Sequence, residues 1–103
     1  MAKPKYDGVV ESVHYKPDGE VDWVRAFERR GAIFTDWVLI DRQTLIQRLK
    51  NGKKYVVGRR IPLMGGTFEI TQPLRLVRFG DKDVLIVGEA QADRDRLDGV
   101  PVV

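Results

Sequence analysis

The chain has no cysteine, which excludes disulfides, thiolate-held zinc, iron–sulfur clusters and thiol catalysis. Histidine and serine occur once each, as His14 and Ser12, so most hydrolytic and metal-dependent schemes lack their parts. No G-x-S-x-G elbow surrounds Ser12. Its spacing from His14 reads as an ordinary pair on one strand face rather than a catalytic dyad. No glycine pattern of the phosphate-cradling kind occurs, and Gly65-Gly66 reads as a tight connection after Pro62. The stretch Asp93-Arg94-Asp95-Arg96-Leu97-Asp98-Gly99 misses the spacing of a calcium loop, and its two arginines would repel a cation. The expectation is a protein without cofactor or metal.

Apolar runs stay far below the ~18 residues of a membrane span, and no long basic amphipathic helix is present, so no membrane partner is expected. The polar start, Met1-Ala2-Lys3-Pro4-Lys5-Tyr6, lacks the apolar stretch of a secretory signal and predicts a cytoplasmic protein. Asparagine occurs once, and arginine outnumbers lysine eleven to seven. That bias fits a heat-adapted, thermostable protein of prokaryotic origin, although a GC-rich genome produces the same arginine excess.

The composition is 43% apolar and 32% charged over 103 residues, the signature of one globular domain able to bury a core without staples. Residues 1–90 read as a single β-rich domain, and residues 91–103 as a charged C-terminal tail with a short apolar end. Gly, Pro and Asp punctuate the chain about every ten residues, the spacing of short strands.

Residues 6–15 read as a strand, Lys16-Pro17-Asp18-Gly19-Glu20 as a tight turn, and residues 21–30 as the returning strand of a hairpin. Residues 32–40 are apolar on both alternating faces, which predicts a buried central strand. Asp41 has the short carboxylate of a helix N-cap, residues 42–50 place Leu45, Ile46 and Leu49 on one side, and Asn51-Gly52 stops the helix. Residues 53–61 form the next strand. Residues 67–71 alternate, with Phe68 and Ile70 expected inward, and Pro73 is expected to break the run. Residues 74–79 and 84–89 form a hairpin across residues 80–83. About seven short strands and one short helix predict a mainly β fold, either a small antiparallel barrel or a strongly curved sheet with the helix over one face. Residues 91–98 look too charged for a buried strand, whereas Val100, Pro101, Val102 and Val103 suit a short strand added to an open edge.

Net charge is only +3, but its distribution is uneven. Arg42, Arg48, Lys50, Lys53, Lys54, Arg59 and Arg60 fall in residues 42–60 with no acid among them. Such a run produces positive potential unless acids from elsewhere neutralise it in space. Trp23, Arg25, Phe27 and Arg29 alternate along one strand and so share a face. If the aromatics are core, Arg25 must be re-aimed by a bulge or must snorkel to the rim. If Val24 and Ala26 are core instead, the aromatic–arginine face is a platform for stacking bases and binding phosphate. Lys53, Tyr55 and Arg59 repeat the pattern more weakly.

These features predict a small non-catalytic binding module for an acidic partner, either nucleic acid or an anionic protein, with nucleic acid as the leading ligand through Trp23, Arg25, Phe27, Arg29, Lys53, Lys54, Tyr55, Arg59 and Arg60. The alternative is a protein-interaction or accessory subunit that self-associates as a homo-oligomer. A mixed patch of exposed aromatics and clustered cations favours the first. An apolar patch without clustered cations favours the second.

Overall fold

The computed structural model describes residues 6–31, 33–35, 37–61, 68–88 and 94–103. The predicted connection through Gly65-Gly66 lies outside these residues. In chain order the elements are β1 (Gly8–Tyr15), β2 (Val21–Arg30), β3 (Ile33–Phe34), β4 (Val38–Asp41), α1 (Arg42–Lys50), β5 (Tyr55–Arg60), β6 (Phe68–Phe79) and β7 (Lys82–Val87).

The first hairpin forms as its turn residues dictate. Lys16 and Glu20 close the turn through a main-chain hydrogen bond of 2.8 Å, with Gly19 at a positive φ of 90°. The helix ends also follow local chemistry. Asp41 Oδ1 accepts from the Thr44 N–H at 2.7 Å, and Gly52 takes a φ of 86° just beyond Asn51. Asp41 thereby keeps its carboxyl below the usual range, chiefly through the Thr44 N–H.

The sheet is mixed and does not close into a barrel. Its order is β3-β2-β1-β5-β6-β7, with β4 also on β2. The cause is the α1 connection. β4 runs antiparallel to β2, and β2 antiparallel to β1, so β4 and β1 point the same way. Helix α1 then carries the chain back over the sheet, and β5 enters beside β1 in parallel, pairing Gly8 with Tyr55 and Val10 with Val57. A strand–helix–strand crossover of this kind makes parallel neighbours, not an antiparallel barrel. The edges remain apart, with β3 and β4 at one side and β7 at the other.

Three local expectations are corrected. Residues 32–40 do not form a central strand: β3 and β4 are short edge segments, with Ile33 70% and Leu39 57% exposed. Ile40 enters the main core with Val38 at its margin, and Phe34 packs on the smaller cluster of the other face. Ile70 is 38% exposed, because it sits on the sheet face away from the helix, opposite Gly58. Pro73 does not end its strand. β6 pairs with β5 up to Pro73 and with β7 from Leu74 onward. The proline carbonyl accepts from Gly88, just past β7, so its missing N–H falls at the handover between two ladders.

Bulges decide which side chains meet. Glu11 is an extra residue between Val10 and Ser12 in the β1–β2 ladder, and Asp22 is another between Val21 and Trp23. Each shifts the alternation by one, so Val10 joins Val13, and Val21 joins Val24 and Ala26, in the core under the helix. Leu45, Ile46, Leu74, Leu85 and Val87 complete that layer. The opposite face carries a smaller cluster of Val9, Phe27 and Phe68, with Phe34 edge-on to Phe68 at 4.9 Å between ring centroids.

The described part of the tail packs against this body. Asp95 and Leu97 point inward while Arg94, Arg96 and Asp98 stay exposed, so the charged stretch alternates as a strand would. The expectation that 91–98 is too charged for burial fails at Asp95. Farther on, the Val13 N–H donates to Pro101 and the Val103 N–H donates to Val13, both at 2.9 Å. The end of the chain thus adds to the half of β1 that β5 leaves free, as its valines predicted. Deleting residues 100–103 is expected to lower the melting temperature while leaving the solution mass per particle unchanged. Differential scanning calorimetry and light scattering check both. An unchanged melting temperature would mean that Val100, 5% exposed here, contributes nothing.

Candidate functional site: a groove where two parallel strands part

β1 and β5 stay paired only through Val10 and Val57. Beyond that point each strand meets a bulge: Glu11 in β1, and a register shift between Val57 and Gly58 where β5 faces β6. The two strands separate, and Pro101 to Val103 take up β1 instead. A groove of about 470 Å³ opens in the fork. Its floor and walls come from Ser12 of β1, Arg25 of β2, Val57 to Arg59 of β5, Glu69 and Thr71 of β6, and Pro101 and Val103 of the tail.

The groove holds two polar groups without protein partners among the described residues, Ser12 Oγ and Arg25 Nε. Ser12 is only 3% exposed. The two residues face each other across the β1–β2 ladder and share its helix-free side. The Arg25 guanidinium lies 4.5 Å from the centre of the Trp37 ring, a cation–π contact that holds its position. Arg59 and Glu69 pair at 3.4 Å on the rim, and Glu11 adds a second acid, so the groove is close to neutral overall. The Thr71 hydroxyl is already used, donating to the Val57 carbonyl at 3.1 Å.

Two other depressions are lined by charged groups that pair with one another. One contains Asp7, Glu28, Arg29, Arg48, Lys53 and Tyr55. Here Arg48 pairs with Glu28 at 2.8 Å and donates to the Tyr55 hydroxyl at 3.0 Å. Burial pushes the Tyr55 phenol up, against the opposing pull of Arg48. The Lys54 N–H and Arg29 together hold the Asp7 carboxyl below its usual value. The other depression surrounds Asp95 and Arg42 and is a structural lock rather than a vacant site.

The residues singled out from the sequence are dispersed. Trp23 is half-buried, stacked on His14 at 4.9 Å and 14° between ring planes. Phe27 lies in the smaller cluster, 3% exposed. Arg29 turns to Asp7 at 2.7 Å. Tyr55 is core. Lys53 and Lys54 stand exposed at the start of β5, away from the groove. Arg25 and Arg59 line the groove together, Arg29, Lys53 and Tyr55 share the depression around Arg48, and the Arg60 side chain lies outside the described residues. Val24 and Ala26 are indeed the core face of β2, but the opposite face is half covered rather than open.

The basic run is also less positive in space than in sequence. Arg42 pairs with Asp95, Arg48 with Glu28, Lys50 with Asp83 and Arg59 with Glu69. His14 Nδ1 hydrogen-bonds the Val103 main-chain oxygen at 2.7 Å and makes no bond to Ser12. Among the described residues no cluster of three or more metal-ligand side chains forms, and no helix is long and apolar enough to cross a membrane. Sequence reading missed Ser12 as a buried orphan and Trp37 as the partner of Arg25. Neither carries a local signal, since both depend on the fork and on where β4 packs. No family model, curated protein or solved structure matches the chain.

Proposed function

We propose that the chain is a small non-catalytic binding module that associates with a second copy of itself along the β4 edge. The observation that carries this is the contrast between the two edges of the sheet. At β7 the outer side is met by the tail, where Arg96 bridges Ile86 and its N–H donates to Leu85. At β4, among the described residues, the only strand partner is β2. The segment there exposes Ile33, Trp37 and Leu39, at 70%, 49% and 57%. Edge strands of monomeric proteins are normally guarded by lysine, proline or a bulge. Val38-Leu39-Ile40-Asp41 has none of these guards, and its single charge is engaged in capping α1.

A free edge is complementary to itself about a two-fold axis, so a second copy is the simplest occupant. A formal net charge of +3 offers little repulsion against it. Four edge residues and three apolar side chains make a contact below the size of a permanent dimer, so a dissociation constant on the order of 10 µM is expected. Nucleic acid, the partner suggested by residues 42–60, has less to support it, because four of the seven cations are paired with acids.

Light scattering across a concentration series tests the proposal. The mass is expected to rise from one chain toward two, and Leu39→Lys to hold it at one without changing the melting temperature. A mass of one chain at every concentration sinks the proposal. If in addition a labelled single-stranded oligonucleotide binds with log affinity falling about 0.7 per phosphate contacted against log salt, the surface belongs to nucleic acid instead.

A further inference from the structure

We propose that the groove between β1 and β5 is a binding site for a small organic carboxylate with an apolar body. The site does not require association through β4, but Trp37 and Leu39 beside Arg25 belong to that surface as well.

The polar end of such a ligand is specified by what the groove leaves unsatisfied. Ser12 offers a hydroxyl and Arg25 offers Nε–H, and both atoms are buried without a partner among the described residues. Buried donors are normally paired, so two orphans lining one groove are a matched pair awaiting an acceptor. As cross-strand partners their Cβ atoms stand about 5 Å apart, near enough for one group to accept from both. A carboxylate has two acceptor oxygens, and a charge-assisted bond to guanidinium is the stronger kind. Trp37 holds the Arg25 guanidinium in place, so little ordering remains to be done on binding.

The charge balance argues for a monoanion. Arg59 is already engaged with Glu69, and Glu11 on the rim would repel a second negative charge. Among the described residues of the groove Arg25 is the cation without an ion pair, and with Glu11 keeping the net charge near neutral it matches one carboxylate rather than a polyphosphate. The apolar end of the ligand is specified by Pro101 and Val103, which line the groove beside the main chain of Val57 and Gly58. About 470 Å³ lies within the range of small-ligand pockets, which are mostly apolar with a few convergent polar groups.

The test is an amide-resolved NMR titration of the full chain with hexanoate, with 1-hexanol and inorganic phosphate as comparisons. Light scattering on the same samples gives the mass per particle, so that a failure of self-association cannot be confused with a failure of this site. Hexanoate is expected to shift the amides of Ser12, Arg25 and Gly58 saturably, with a dissociation constant of about 1 mM for so small a ligand. Hexanol and phosphate are each expected to bind about tenfold more weakly or not at all, since each supplies half of the recognition. Ser12→Ala is expected to weaken hexanoate about tenfold while leaving the melting temperature unchanged or raised, because it removes a buried hydroxyl that has no partner. Arg25→Met is expected to abolish the shifts. If Arg25→Met does not fold, Ser12→Ala decides alone. Absence of groove shifts with hexanoate, equal binding of hexanol or phosphate, or Ser12→Ala binding as tightly as the native chain would each overturn the assignment.

Discussion

Asp95→Asn is expected to lower the melting temperature by roughly 15–30 °C. The Asp95 side chain is 1% exposed and accepts four hydrogen bonds. Arg42 supplies two of them, from Nε at 2.8 Å and Nη2 at 3.1 Å. The main-chain N–H groups of Val21 and Leu85 supply the others, at 2.9 and 3.0 Å. One carboxylate therefore joins the start of β2, the middle of β7, the first turn of α1 and the tail. Asparagine keeps the shape but has only one acceptor oxygen, and its amide hydrogens would face groups that are themselves donors. Buried N–H groups would then lose partners and Arg42 its counter-charge, a combination that costs about 3–5 kcal/mol.

The same site makes the fold acid-labile. Burial raises the Asp95 carboxyl, but the Arg42 fork and the N–H groups of Leu85 and Val21 outweigh burial and leave it below the usual aspartate value. A group whose folded pKa is depressed stabilises fully above its unfolded value, about 3.9 for aspartate, and less as the pH falls through the folded value. Thermal unfolding measured from neutral pH into this acid range is expected to show a steep loss in the native chain and a shallower one in Asp95→Asn. Parallel curves for the two proteins would remove Asp95 as the source.

Leu45→Ala is expected to cost about 3 kcal/mol in urea unfolding, with an unchanged m-value. Leu45 is the fully buried residue of α1, and Ile46 is 7% exposed beside it. A nine-residue helix does not persist alone in water, so its place depends on packing over the sheet. Removing the central anchor leaves a cavity among the side chains of the main core, which the two bulged strands beneath cannot easily close. A loss under about 1 kcal/mol would show that α1 contributes little to holding the layers together.

The order of elements that makes the crossover is legible in the sequence. Strand-like residues, a capped helix and a second strand-like run follow one another from residue 33 to residue 60, and that order is the pattern of parallel pairing. An antiparallel barrel needs hairpins where this chain has a helix. The mistaken central strand has a related cause. Leu39 is apolar enough for burial, but it pairs with Arg25 on the face that α1 does not cover, and Ile33 lies at the outermost edge of the sheet.

The elements governed by near neighbours in the chain were determined by the sequence alone. Asp41 and Gly52 bound the helix, Pro17 to Gly19 turn the first hairpin, and the closing valines add to a strand, each through groups within a few residues or through intrinsic β preference. Tertiary structure alone decided which face each side chain meets, because two bulges shift the alternation and no local pattern announces a bulge. It also decided the charge map, since Glu28, Glu69, Asp83 and Asp95 reach the basic run from elsewhere in the chain, and ion pairing depends on distance in space. The candidate site belongs wholly to that second class. Ser12 and Arg25 become a pair of orphaned donors only because β1 and β5 run parallel and then part, a consequence of where the crossover sets β5 down.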